Sequence, residues 1–188
     1  MREISLHIMD IAENGITAGA NCINIRVVES RTKNFLEILI KDNGKGIPED
    51  MIENVTDPFV SSRTTRRVGL GLSLLKAAAI RCRGSFSVDS SPGLGTSTRA
   101  TFQHDHIDRA PLGDMAATLS TMIAGNHEVD FVYRHFIDEN EFLLDTREIK
   151  NELEDVPITD PSVIQYLDKS IKKALASLEP QGLKRSPK

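Results

Sequence analysis

Asp42-Asn43-Gly44-Lys45-Gly46-Ile47 follows directly on Phe35-Leu36-Glu37-Ile38-Leu39-Ile40-Lys41, so a carboxylate, an amide and two glycines stand where an alternating strand gives way to a turn. A second alternating run covers residues 22–28, and the turn-like Ser30-Arg31-Thr32-Lys33-Asn34 between the two predicts an antiparallel hairpin. Glycines without side chains let the backbone after the hairpin come close to whatever Asp42 faces. A calcium loop needs glycine where Ile47 stands and oxygen ligands where Gly44 and Gly46 stand, which excludes that use of the stretch. Pro48 then starts a predicted short helix through residue 54.

Upstream, Ile4, Ile8, Ile11, Ala12, Gly15 and Ala18 form one stripe of an amphipathic helix predicted over residues 4–18. His7, Asp10, Asn14 and Thr17 share a second stripe, so their side chains point to one place. Downstream, residues 60–68 are polar and basic without periodicity and predict a loop. Gly69-Leu70-Gly71-Leu72 opens an apolar helix that continues to Arg83, with Gly84 as the expected left-handed stop. Residues 85–90 and 96–102 make a last hairpin around Pro92-Gly93-Leu94-Gly95. One Gly-x-Gly is only a turn signal, but three in this order after an Asn-bearing polar helix face are hard to obtain by accident. Neither Gly-x-x-x-x-Gly-Lys-Ser/Thr nor a Gly-x-Gly-x-x-Gly that opens a helix after a strand occurs.

Asp108-Arg109-Ala110-Pro111 reads as a connector to a second segment. That segment predicts a helix over 112–124, a hairpin of 129–137 with 141–144, a helix capped by Asp145 with Glu148 three residues on, and a helix over 160–177. Pro180 onward, ending Lys184-Arg185-Ser186-Pro187-Lys188, is expected to be a disordered tail. His104-Asp105-His106 has metal-like composition but no evident third or fourth ligand and is assigned to the linker. A net charge of −4 argues against a nucleic-acid partner or a broad anionic-lipid surface, and no apolar run long enough for a membrane span occurs. Cys22 and Cys82 are too few for a disulfide framework, so both are expected as small core residues of a cytoplasmic protein.

The order of these motifs resembles the ATPase superfamily of gyrase, the heat-shock chaperones, mismatch-repair ATPases, histidine kinases and anti-sigma-factor serine kinases. Glu13-Asn14 looks like its Asn box, Asp42 to Ile47 its first glycine box, Asp57-Pro58-Phe59 its Phe box, Gly69 to Leu72 its second glycine box and Gly93-Leu94-Gly95-Thr96 its third. The resemblance implies an α+β fold: a two-layer α/β sandwich of the Bergerat type, with a mixed, mostly antiparallel sheet carrying helices on one face. It implies ATP as ligand and Mg²⁺ as cofactor. Asp42 would accept a hydrogen bond from the adenine amine, where guanine presents a carbonyl oxygen, and Gly44, Gly46 and Ile47 would lie against the base. Thr96 would support that carboxylate. Asn14 is the expected metal ligand, because magnesium takes oxygen donors and keeps most of its waters. Gly69, Leu70, Gly71 and Leu72 would offer backbone N–H groups of a helix start to phosphate. Arg63, Thr64, Thr65 and Arg66, within Ser61 to Arg67, would form a short ATP lid. Asp10, one turn before Asn14, is the candidate general base, with Glu13 as its neighbour.

The expected organisation is a histidine-kinase-like ATP-binding domain over 1–104, an α/β segment over 105–179 that extends the sheet or forms a satellite domain, and the tail over 180–188. The Asn box begins within ten residues of the first residue, so a dimerising helical pair carrying a phospho-accepting histidine is not expected before it. The expectation is therefore a trans-acting protein kinase or ATPase with a protein substrate or signalling partner, and a homodimer is compatible with it. The alternative is a non-catalytic nucleotide-sensing module.

Overall fold

The structure, a computed structural model, describes residues 3–55 and 70–178. Helix α1 spans Ile4–Thr17 and buries Ile4, Ile8, Ile11, Ala12 and Gly15, the stripe that the spacing predicts. Among the described residues no side chain caps its first turn. Instead the Ile4 and Ser5 amides donate to the carbonyls of Pro111 and Leu112, at 3.0 and 2.7 Å, so the connector satisfies the free N–H groups of α1. Gly19, with φ of +82°, ends the helix in the left-handed region.

Strands β1 (Cys22–Ser30) and β2 (Phe35–Asp42) pair antiparallel, with Ile25 opposite Ile40. Helix α2 (Glu49–Val55) follows the glycine loop, and α3 (Leu70–Arg81) leads to β3 (Phe86–Ser91) and β4 (Gly95–Gln103). Strand β4 lies between β3 and β2, antiparallel to both, and its register sets Thr96 opposite Asp42. The stop after α3 differs from expectation. Arg83 takes the left-handed conformation, with φ of 55°, while Gly84 is needed for a different reason: a Cβ there would collide with the Thr101 carbonyl.

Helix α4 (Met115–Gly125) begins three residues later than predicted, because Gly113 has φ of +88° and Asp114 is the N-cap, accepting from the Ala117 amide at 2.9 Å. Strand β5 (Asp130–Ile137) then pairs parallel to β1, with Tyr133 beside Ile25, and β6 (Asn140–Asp145) closes the far edge. Helix α5 (Thr146–Glu152) is capped by Asp145, and α6 (Pro161–Leu178) packs on α4. The result is one six-stranded sheet ordered β3-β4-β2-β1-β5-β6, antiparallel except at β1–β5.

Alternation decides which face is covered. Ile23, Ile25, Val27, Leu36, Ile38, Ile40, Ala100, Phe102, Phe131 and Tyr133 are buried against the helical layer. Arg26, Arg99 and Arg134 stand on the opposite face, where Arg26 and Arg99 share Glu37. Cys82 is buried as expected, whereas Cys22 is only half-buried. At the β1–β5 junction a polar chain crosses the sheet's lower end. The Tyr133 hydroxyl meets His135 Nδ1 at 2.8 Å, His135 Nε2 donates to Glu29 Oε1 at 2.9 Å, and His104 Nε2 donates to Glu29 Oε2 at 3.1 Å. Among the described residues no helix is long and apolar enough to cross a membrane.

Candidate functional site

The opposite end of the sheet, where β2 stops and β4 begins, carries the glycine loop. Gly15 has no side chain to separate α1 from β2: a Cβ there would lie 2.7 Å from Asp42 Cβ. That close approach brings Asn14 and Asp42 to one cavity of about 140 Å³, which Gly46, Ile47, Leu72 and Thr96 also line. Ile11, Ile47 and Leu72 give it apolar walls, and Asn14, Asp42 and Thr96 give it convergent polar groups.

Asp42 is half-buried and held by backbone. Its Oδ1 accepts from the Gly44 amide at 2.9 Å and from the Thr96 amide at 3.3 Å. Among the described residues Oδ2 has no hydrogen-bond partner, so one oxygen of a fixed carboxylate is available to a ligand donor. Thr96 supports Asp42 directly through its amide, and its hydroxyl lies 2.9 Å from Ser90 Oγ. Gly46 and Gly95 both have positive φ, +69° and +85°, and a Cβ on either would strike backbone, of Ser91 and of Asp42 respectively. Only glycine fits at these two positions.

Asp10 is half-buried on α1 and lies against the first turn of α3, where a Cβ added to Gly71 would be 3.2 Å from Asp10 Cβ. Glu13, the neighbouring carboxylate, is exposed. Asp10 and Gly71 are thus together, beside the cavity rather than on its lining. His7 is buried, with Nδ1 unpartnered among the described residues, and burial holds its pKa below the usual histidine range. Leu70 opens α3. Arg63, Thr64, Thr65, Arg66 and Gly69 lie outside the described residues, as does Asp57-Pro58-Phe59.

Two residues of the site escape a reading by motif. Ser90 Oγ accepts from the Ile47 amide at 2.8 Å and donates to the Gly95 carbonyl at 2.8 Å, tying the first glycine loop to the third. Its signal is its register position opposite Thr96, which a hairpin count across Pro92 and Gly93 would have given. Asn43 faces away from the cavity and binds the α1–β1 turn. Nothing local marks that partner, which lies 22 residues away.

Residues 2–106 match the family model described as "Histidine kinase-, DNA gyrase B-, and HSP90-like ATPase". The sensor histidine kinase YxdK of Bacillus subtilis (strain 168) is 38% identical over 84 residues, 43% of this chain and 25% of that protein. The sensory histidine kinase/phosphatase NtrB of Rhodobacter capsulatus is 40% identical over 58 residues, 31% of this chain and 16% of that protein. The matched stretch therefore spans a quarter or less of either relative. In fold, the chain is similar to the Aquifex aeolicus MutL ATPase domain complexed with ADP, at a TM-score of 0.52 and 11% identity, over 96% of this chain and 99% of that one.

Proposed function

Because this chain belongs to the family of histidine kinase-, DNA gyrase B- and HSP90-like ATPases, we propose that its cavity holds the adenine of ATP and that it acts in trans as a protein kinase or ATPase of cytoplasmic signalling. One observation carries the site assignment: Asp42 keeps one oxygen bound by two amides and presents the other, in a slot that glycine backbone and apolar side chains leave open. An amine donor paired to that oxygen satisfies it, and a carbonyl oxygen repels it, so ATP is preferred to GTP.

The donor set fits the metal as well. Asn14 offers an amide oxygen on the cavity wall, enough to anchor Mg²⁺ that keeps waters and phosphate oxygens as its other ligands. A bound magnesium neutralises phosphate charge. The N-terminal turn of α3, with Leu70, Gly71 and Leu72, supplies amides to phosphate together with that of Gly69, and Arg63, Thr64, Thr65 and Arg66 supply the lid's donors. Asp10, beside that turn, takes the proton of an incoming hydroxyl or water. A carboxylate there is what distinguishes phosphoryl transfer from nucleotide sensing alone. The acceptor is a separate protein, met at this end of the sheet.

Isothermal titration of Asp42→Asn tests the adenine assignment. ATP affinity should fall by about 1–3 kcal/mol and the preference over GTP should shrink. Unchanged ATP affinity would remove Asp42 from the site.

A further inference from the structure

We infer that Asn43 is a specificity-determining positioning residue: it aims the Asp42 carboxylate and thereby sets the preference for adenine over guanine nucleotides, an inference that rests on the adenine assignment of Asp42. Asn43 is exposed and does not line the cavity, so it has no direct contact to offer the base. Its side chain reaches back to the turn between α1 and β1. Oδ1 accepts from the Asn21 and Cys22 amides, both at 3.0 Å, and Nδ2 donates to Asn21 Oδ1 at 2.6 Å. Two residues on, the Lys45 amide donates to the Ala18 carbonyl at 3.0 Å.

Both sides of Gly44 are therefore stitched to the same turn. Gly44 itself is buried and cannot shift freely, since a Cβ there would already lie 3.0 Å from the Ala18 carbonyl oxygen and 3.1 Å from Ala18 Cβ. Its amide is the shorter of the two bonds that orient Asp42 Oδ1. Asn43 thus fixes the loop, the loop fixes the Gly44 amide, and that amide fixes which way Oδ2 points. Direction is what matters for choosing a base: an anion discriminates an amine from a carbonyl only when its free oxygen faces that edge. Stability depends far less on Asn43, because the amides it caps lie near the surface, where water replaces the lost acceptor.

The test titrates ATP and GTP into the full chain as wild type, Asp42→Asn, Asn43→Ala and Asn43→Asp, with melting curves for each. Asn43→Asp keeps an acceptor for both amides, and the Asn21 amide can turn to donate to it. Asn43→Ala should melt close to wild type yet lose about tenfold of the ATP-over-GTP ratio, and Asn43→Asp should recover it. A merely structural Asn43 would lower the melting point and leave the ratio alone. An Asn43→Ala ratio equal to wild type overturns the inference, as does an Asp variant no better than Ala. A wild type without ATP preference instead overturns the assignment of Asp42, and the inference falls with it. If Asn43→Ala does not fold, Asn21→Ala, which removes the acceptor of the Nδ2 bond, carries the same comparison.

Discussion

At the scale of single residues, the carboxylates at the glycine-loop end of the sheet have different surroundings, and the proposed function divides their work accordingly. Asp42 is tied by two backbone amides and faces an apolar slot, which suits recognition. Asp10 has the first turn of α3 beside it and lies off the slot, which suits a group that handles an incoming oxygen. Glu13, exposed on α1, has neither setting. A general base acts in the transition state and adds little to ground-state binding. Asp10→Asn should therefore retain ATP affinity while turnover, or transfer to an added partner protein, falls by about 10²–10⁴-fold. Rapid-quench assays with labelled ATP, run beside a titration, separate the two quantities. Wild-type turnover in this variant would take Asp10 out of the chemistry and leave the nucleotide-sensing alternative in possession of the site.

At the scale of elements, β1 is the strand on which the family-matched part and the later segment meet, and Glu29 is its polar anchor. Burial alone would raise the Glu29 pKa, but hydrogen bonds and charge from His135 and His104 more than reverse that, so it stands below the ordinary glutamate value of 4.5. A depressed carboxylate pKa means that the unfolded chain binds the proton more readily than the folded one. The stabilisation is thus full above about pH 4.5 and is lost as pH falls through the lower folded value. Acid unfolding of wild type and Glu29→Gln should diverge above that pH and converge below it. Curves that keep the same separation at every pH would show that ionisation of Glu29 contributes nothing to folding. The elements themselves were largely legible, because their signals are local: the α1 stripe, the alternation of β1 and β2, and the glycine boxes each lie within one short stretch of chain. What stayed hidden has distant partners. His104 stands in the linker as expected, but its bond to Glu29, 75 residues away, has no local signal, and Gly84 reads as a helix stop because its neighbour, the Thr101 carbonyl, comes from the far strand of a hairpin. Asn43 and Ser90 carry no local signal for the same reason, although both lie in or near a glycine box.

At the scale of the whole molecule, the segment after Phe102 is joined to the nucleotide-binding part by backbone as well as by side chains. Strand β5 occupies the parallel edge of β1 from Cys22 to Glu29, and α4 packs against α1. The connector carbonyls of Pro111 and Leu112 hold the first amides of the very helix that carries Asp10 and Asn14. Ending the chain after residue 104 would leave the β1 edge unpaired, an invitation to pair with another chain. It would also uncover Ile4, Ile23 and Ile25, which are 1% exposed or less in the full protein. Each stranded amide costs about 1 kcal/mol or more, and in a protein of this size 1 kcal/mol moves the melting midpoint by about 2–4 °C. The fragment of residues 1–104 should therefore melt lower than the full chain and self-associate, and its ATP affinity should fall because α1, which brings Asn14 to the cavity wall, loses the carbonyls that hold its first turn. Differential scanning calorimetry with light scattering reads the first two, and titration reads the third. A monomeric fragment that melts with the full chain and binds ATP equally would make residues 105–178 an appendage. The expected outcome makes them part of the support that holds α1 against the nucleotide.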